Sequence, residues 1–294
     1  MPKLSFHEEI EKNKRKSWFL TFIVFSFLIF TFYIISLFFD PFYRLGLILF
    51  GVIFSIIYIY GNWQQGDKLI LTSVNAKEAT GQKYLQLNNI VEELSIAAGI
   101  PKPKVYIIDN PEMNAFATGK DPKNSSIAIT TGLLEKLNRD ELSGVIGHEI
   151  SHIANYDIRF SMLVATLVGM VVILSDMFLR SLKYSNSDSK KGDGLLILIG
   201  LIFALVAPLA VRLVQLAISR KREFLADSSS AKLTRYPQGL ASALEKIMKN
   251  NKGNMNVSEA ISHLFFVDPS MSFVDSLFAT HPPIEERIKI LRSM

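Results

Sequence analysis

The chain is organised around residues 138–152, which read NRDELSGVIGHEISH. Asn138, with a glutamate three residues later, has the pattern of a helix N-terminus closed by a capping box. Apolar residues then recur at helical spacing, so His148 and His152 lie one turn apart on the same helix face. Two imidazoles placed in this way can bind one zinc ion, and Glu149 beside them is a candidate general base for a zinc-bound water. The segment therefore predicts a catalytic metal helix.

The His-Glu-x-x-His string is rare enough to be informative. The chain has five histidines among 294 residues, and about 0.004 such strings are expected by chance in a sequence of this composition. The alternative is that two capping or core histidines flank a solvated glutamate on a surface helix. The rarity of the string favours the metal site.

The third metal ligand has to come from elsewhere, because two imidazoles do not complete a zinc site. There is no cysteine, and the other histidines are His281 and two that we expect to be ordinary surface or core residues, His7 and His263. Glu223, in the segment SRKREFLAD (residues 219–227), is the better candidate. Two apolar runs, 160–179 and 195–211, lie between it and the metal helix, and if both cross a membrane the two segments lie on the same side. Asp227, one turn further on, is suited to accept a hydrogen bond from a ligand imidazole. The alternative is an acidic helix face that pairs with Arg220 and Arg222.

Four apolar runs surround these segments and predict four transmembrane helices. They cover residues 17–39, 45–60, 160–179 and 195–211. The first is long enough, at about 1.5 Å per residue, to cross a hydrocarbon core of about 30 Å, and it lacks the small-residue cleavage site of a signal peptide. With 49% hydrophobic residues, 20% charged residues and a mean hydropathy of +0.26, the composition excludes a disordered chain and an ordinary soluble enzyme.

Basic residues next to the apolar runs predict the orientation in the membrane. The first run is preceded by Lys3, Lys12, Lys14, Arg15 and Lys16, and the fourth is followed by Arg220, Lys221 and Arg222. The positive-inside rule then places both chain ends and the segment 61–157 in the cytoplasm. The loop 180–194 carries four basic residues on the predicted outer side and disagrees with this orientation.

On this interpretation the chain divides into four parts. Residues 1–63 form a basic N-terminal segment with two transmembrane helices, and residues 64–157 form a cytoplasmic module that ends in the metal helix. Residues 158–218 form a transmembrane hairpin, and residues 219–294 form a C-terminal helical part with the third ligand. Within the module the pattern predicts a helix over 75–98, strands over 105–108, 114–118 and 126–130, and a turn at 121–124.

Three motifs together resemble one known family. The His-Glu-x-x-His string, the segment 219–227 and the segment THPPIEER (residues 280–287) are similar to those of the HtpX family of membrane zinc endopeptidases, relatives of the CAAX prenyl endopeptidases. The likeness covers nearly the whole chain. It implies a mainly α membrane protein with four transmembrane helices and a cytoplasmic α+β gluzincin-type metalloprotease domain that carries a small β-sheet. It also implies one zinc ion per chain, bound by the two histidines of the string and Glu223, with Glu149 as the base.

The resemblance further implies a physiological role. It predicts cleavage of unfolded or misfolded membrane proteins at the cytoplasmic face of the cell membrane, as part of a stress response. The expected location is the plasma membrane, in several passes, with the active site facing the cytoplasm. The lipid bilayer and damaged membrane proteins are the expected partners, and the chain itself is a further candidate substrate.

The resemblance suggests roles for secondary residues, and each has a plain alternative. The strand 114–118 would pair with an extended substrate, or it is an ordinary hairpin strand. His281 would donate to the developing oxyanion, or it begins a helix. Asn155 and Asp157 would support the metal ligands, or they form a polar junction before the third span. Arg212, near the end of the fourth run, reaches the headgroups or faces the metal.

Two other functions compete with this interpretation. A membrane scaffold or transporter with a structural zinc ion would need a fourth protein ligand, for which His281 is the only candidate, and it would have no need for Glu149. Nucleic-acid binding is disfavoured, because the net charge is only +5 and the basic residues cluster beside the apolar runs. The sequence leaves the individual substrates, the cleavage specificity and the oligomeric state open.

Overall fold

The computed structural model describes residues 6–37, 39–169, 220–269 and 282–294. The second half of the third predicted span, the loop 180–194 and the fourth predicted span lie outside the described residues, as do Arg212 and His281. The set of four transmembrane helices and the four-part division of the chain therefore stay predictions.

Two long apolar helices form the N-terminal part of the fold. Helix α1 covers Phe6–Ser36 and α2 covers Pro41–Ser73, and both are long and apolar enough to cross a membrane. Between them the Asp40 carboxylate accepts a hydrogen bond from the N–H of Phe42 at 2.9 Å, and a proline at the first helical position favours the start of α2. Large apolar side chains point outward, with Phe22 65% and Phe42 84% exposed. Such a surface suits contact with lipid.

The polar segment after α2 forms a four-stranded sheet with one helix. Along the chain these are β1 (Lys77–Glu78), a 3-10 turn (Gln82–Tyr84), α3 (Leu85–Ala98), β2 (Lys104–Ile108), β3 (Ala115–Asp121) and β4 (Asn124–Thr130). The sheet order is β1-β2-β4-β3, in which β2 and β4 are parallel and the other two pairs are antiparallel. All three predicted strands are confirmed, and β3 lies at an edge of the sheet. The predicted turn is present too, since Asp121 Oδ1 accepts from the N–H groups of Lys123 and Asn124.

The helix predicted over 75–98 is wrong in its first part, because α3 begins only at Leu85. The N–H of Ala79 donates to Val105 O at 2.8 Å, which attaches this stretch to the sheet. Gly81 has a φ of +88°, outside the range of a right-handed helix. The apolar residues that carried the helical pattern all lie in the later part of the segment.

The metal helix is central to the fold. After α4 (Thr131–Lys136), α5 covers Arg139–Ala154, and α6 follows over 157–169. The predicted capping box is present: Asn138 Oδ1 accepts from the N–H of Glu141, and Glu141 Oε2 accepts from the N–H of Asn138, both at 2.9 Å. Helix α6 is the described part of the third predicted span, so the metal helix leads into it after a two-residue turn.

Four C-terminal helices complete the described fold. These are α7 (Arg220–Thr234), α8 (Pro237–Asn250), α9 (Glu259–Ser262) and α10 (Ile284–Arg292). Helix α5 packs closely on α8, because a Cβ atom at Gly144 would lie 2.7 Å from the backbone nitrogen of Leu240. A glycine is therefore required where the two backbones approach.

The sheet separates two hydrophobic cores, since alternate residues of a strand face opposite sides. Ala117 and Ile127 belong to the core formed with α3, α5 and α8. Phe116 and Ala128 belong to the core formed with α1, α2 and α6, which includes Leu20. The sheet therefore joins the metal-site helices to the apolar N-terminal helices.

Candidate metal centre

Helices α5 and α7 bring the three predicted metal ligands together. His148 Nε2 lies 3.1 Å from His152 Nε2. The carboxylate oxygens of Glu223 lie 3.5 Å from the first of these nitrogens and 3.6 Å from the second. Helix α7 can approach α5 because Gly147 leaves room for Ser230, whose Oγ would lie 2.8 Å from an added Cβ.

These separations fit a bound zinc ion. Tetrahedral zinc bonds of about 2.0–2.1 Å place neighbouring ligand atoms roughly 3.3–3.4 Å apart. Within the described ranges, His148, His152 and Glu223 are the residues whose donor atoms cluster closely enough to hold a metal. Two imidazoles and a carboxylate form a donor set that zinc accepts, and three protein ligands keep one position open.

Each imidazole is oriented by a buried carboxylate. Nδ1 of His148 lies 2.9 Å from Asp227 Oδ1, and Nδ1 of His152 lies 3.0 Å from Asp157 Oδ2. A hydrogen bond at Nδ1 selects the tautomer and directs Nε2 towards a metal. The contact predicted for Asp227 is present. Of the two interpretations of Asp157, the structure favours the supporting one.

Arg287 is one residue of this centre that sequence reasoning missed. It is fully buried, and its Nε and Nη2 atoms donate to the Asp227 carboxylate at 2.8 and 2.7 Å. It lies within the motif 280–287, which was the available signal, but no local spacing connects α10 with α5. Arg222 donates to Asp157 at 3.1 Å, so the carboxylate of each imidazole–carboxylate pair also accepts a hydrogen bond from an arginine.

Burial and charge set the pKa values in the centre. Burial lowers the pKa of His148, but hydrogen bonds with Asp227 and Glu223 outweigh it and raise the pKa to about 9. Burial raises the pKa of Asp227, but the charge of Arg287 and the bond with His148 lower it to about 2. Burial raises the pKa of Glu149 against the charges of the two histidines. A buried carboxylate with a raised pKa is suited to accept and return a proton.

The centre opens into a cavity between α5, α6, α7 and β3. Besides the three candidate ligands and Glu149, its wall includes Ala117, Ser161, His263 and Phe265. His263, expected to be an ordinary histidine, is buried in this wall, with Nε2 3.3 Å from the backbone oxygen of Ser161. The cavity therefore contains a third imidazole that is not part of the ligand cluster.

Strand β3 borders the cavity with its outer edge. The N–H of Thr130 donates to Asn114 O at 3.0 Å, so the alternation of an antiparallel pair turns the backbone groups of Ala115 and Ala117 away from β4. On that outer side Ala115 O accepts from the N–H of Phe266 at 2.8 Å. Ala117, next along the edge, lines the cavity and has no outer backbone partner among the described residues.

Comparisons with known proteins find relatives over the whole chain. The sequence profile of Peptidase family M48 matches residues 82–294. A Protease HtpX homolog from Dictyoglomus turgidum is 48% identical, over 100% of this chain and 96% of its own length. A protein of the same name from Caldanaerobacter subterraneus is 45% identical, over 100% of this chain and 99% of its own length. Another from Streptococcus pneumoniae is 40% identical, over 98% of this chain and 99% of its own length.

Among solved structures, the crystal structure of Ste24p from S. mikatae matches 97% of this chain and 66% of its own chain, with 21% sequence identity and a TM-score of 0.48. The profile match over most of the chain and the full-length relatives decide the family. The chain belongs to peptidase family M48, as an HtpX-type metalloendopeptidase of the membrane.

Proposed function

We propose that His148, His152 and Glu223 hold one zinc ion, and that Glu149 is the general base for hydrolysis of peptide bonds. We further propose that the substrates are unfolded or misfolded membrane proteins, cleaved at the cytoplasmic face as part of a stress response. The observation that carries the proposal is the convergence of two imidazoles and the Glu223 carboxylate, whose nearest atoms lie 3.1 to 3.6 Å apart, beside the buried carboxylate of Glu149.

Glu149 carries out the proton transfers of the reaction. Zinc, when bound, supplies a Lewis acid that polarises the scissile carbonyl and makes water more acidic. The Glu149 carboxylate takes a proton from the attacking water and delivers it to the leaving amine nitrogen. Its burial favours the protonated form, so the side chain can hold the proton between the two transfers.

The outer edge of β3 supplies a binding position for an extended substrate. Ala117 lines the cavity, and its N–H and C=O groups, which turn away from β4, are available to a strand added at the edge of the sheet. Such pairing recognises backbone and only weakly selects side chains. This preference for extended chain fits unfolded segments as substrates and folded domains as non-substrates.

The position of the N-terminus of α1 supports the proposed cytoplasmic location. Asn13, near this end, hydrogen-bonds to Asp157 beside the metal centre, so the centre lies on the same side as the basic residues around it. These are Lys12, Lys14, Arg15 and Lys16. The positive-inside rule assigns such a cluster to the cytoplasm.

The first experiment is proteolysis of casein by detergent-solubilised protein, purified under chelator and reloaded with zinc. Wild type is compared with Glu149→Gln, Glu223→Gln and the control Glu135→Gln, which changes an exposed glutamate on α4. We expect Glu149→Gln to bind zinc and lose about 10²- to 10⁴-fold in kcat. Glu223→Gln should lose zinc, and the control should match wild type. Zinc-loaded wild type that cleaves neither casein nor its own chain would instead support a structural metal.

The substrate class needs a separate measurement in cells. A membrane protein reporter is expressed in a stable and a destabilised form, with wild type or Glu149→Gln. We expect wild type to shorten the lifetime of the destabilised form only. Equal lifetimes of that form with both enzymes would contradict the proposed substrate class without affecting the metal assignment.

A further inference from the structure

We propose that Asn13, in the N-terminal helix α1, is a positioning residue for the metal centre. It holds the turn that follows the metal helix and acts through Asp157 on the imidazole of His152. The inference rests on the proposed role of His152 as a ligand. Asn13 lies outside residues 82–294 that match the family profile, so the centre depends on a part of the chain beyond that profile.

Asn13 makes two hydrogen bonds across a long sequence separation. It is buried, with 2% of its surface exposed. Its Nδ2 donates to the backbone oxygen of Asn155 at 2.9 Å and to Asp157 Oδ1 at 2.8 Å. A side-chain amide nitrogen carries two protons, so both of its donor positions are used. Asn13 therefore bridges the residues on either side of Tyr156.

The bridged turn needs such support because its central residue is strained. Tyr156 has a φ of +61°, in the left-handed region that is unfavourable for a residue with a Cβ atom. The Lys14 ammonium lies 4.4 Å from the centre of the Tyr156 ring, and the Arg159 guanidinium lies 5.1 Å from it. Two consecutive residues of α1, Asn13 and Lys14, thus hold the turn.

The conformation of this turn sets the position of Asp157. One carboxylate oxygen, Oδ1, accepts from Asn13 and from Arg222 at 3.1 Å, while Oδ2 contacts Nδ1 of His152 at 3.0 Å. Without Asn13, Asp157 Oδ1 keeps its hydrogen bond from Arg222, but the backbone of the turn loses the bond that holds Asn155 O. The carboxylate then rotates away from the line that directs His152 Nε2 at the metal.

The effect should be confined to one of the two imidazoles. His148 is held by Asp227 and Arg287, and among the described residues neither of these is hydrogen-bonded to α1. A defect in Asn13 therefore changes the geometry of the centre and leaves part of its ligand set in place. This distinguishes a positioning role from simple anchoring of the helix.

The test compares Asn13→Ala and Asn13→Asp with Asn88→Ala in the full chain. Asn88 is a matched control, because its half-buried amide also donates two hydrogen bonds, to Ala79 O at 2.9 Å and Tyr84 O at 3.1 Å, away from the centre. The readouts are zinc affinity by chelator competition, the visible spectrum of the cobalt-substituted protein, kcat and KM on casein, and Tm.

We expect Asn13→Ala to weaken zinc binding at least about tenfold, shift the cobalt spectrum and lower kcat about tenfold with little change in KM. Asn13→Asp should be worse, because it places a second carboxylate against Asp157. Asn88→Ala should lower Tm by about as much as Asn13→Ala does, and it should leave zinc affinity, the cobalt spectrum, kcat and KM unchanged.

Unchanged zinc affinity and cobalt spectrum in both Asn13 variants would overturn the inference. If Asn13→Ala does not fold, Asn13→Ser, which retains a small polar side chain, is measured in the same way. A wild type that fails to bind zinc would contradict the proposed function, whereas a normal wild type with normal Asn13 variants contradicts this inference alone.

Discussion

Replacement of Arg287 by methionine tests whether the buried arginine supports the metal centre. Arg287 is fully buried and donates to both oxygens of Asp227, at 2.7 and 2.8 Å, and to Phe266 O at 3.4 Å. Methionine is of similar length and apolar, so Arg287→Met removes the charge and the donors while filling most of the space.

The expected magnitude follows from the charge left behind. Asp227 is 1% exposed, and without Arg287 it keeps the His148 imidazole as its remaining hydrogen-bond partner among the described side chains. Breaking a buried ion pair in this way costs about 3–5 kcal/mol. At about 2–4 °C per kcal/mol, Tm should fall by roughly 6–20 °C. Because Asp227 orients a candidate ligand, zinc affinity should fall about 10- to 100-fold.

The assay is thermal unfolding in detergent, with and without zinc, combined with chelator competition. Arg292→Met on the same helix is the control, because the ion pair of Arg292 with Glu245 is solvent-exposed and contributes about 1 kcal/mol or less. The double variant Asp227→Asn/Arg287→Met should lose about 1–3 kcal/mol less than the sum of the single variants. A Tm for Arg287→Met equal to that of Arg292→Met, or additive losses in the double variant, would refute the reasoning.

Two further predictions concern the metal helix, and both are measured as Tm and as activity per folded molecule. Gly144→Ala should destabilise by about 1–3 kcal/mol, because its Cβ would lie 2.7 Å from the Leu240 backbone. Gly147→Ala should cost less, because its one approach below 3.0 Å is to the side-chain Oγ of Ser230, at 2.8 Å. Equal losses would contradict the packing argument. Asn138→Ala removes the capping box and should cost about 1 kcal/mol without changing kcat; a drop in kcat would show that the cap also shapes the site.

The metal helix could be predicted because its signals are local. The capping pattern at Asn138, the apolar repeat and the one-turn spacing of His148 and His152 all lie within one segment, and helical geometry converts them directly into a shared face. The strands of the hairpin were predictable for the same reason, as short apolar runs around a turn. Local periodicity failed over 75–84, where pairing with β2 competes with helix formation.

The partners of the metal helix were predictable only in part. Glu223 could be named because few residue types bind zinc and because both segments adjoin apolar runs. Its distances of 3.5 and 3.6 Å to the imidazoles depend on the packing of α7 against α5. Asp227 followed from Glu223 by helical spacing. Asp157 remained one of two alternatives until its contact with His152 was seen.

By itself the sequence determined the nature of the chemistry: the residue types and spacing of a metal helix, apolar segments suited to a membrane, and a short strand beside them. Only the tertiary structure decided which distant groups complete the centre. Arg287 and Asn13 reach it from α10 and α1, and no periodicity relates those helices to α5. The physical reason is that a buried charge or amide is stabilised only by partners placed within hydrogen-bonding distance, and that distance is set by packing across the whole chain.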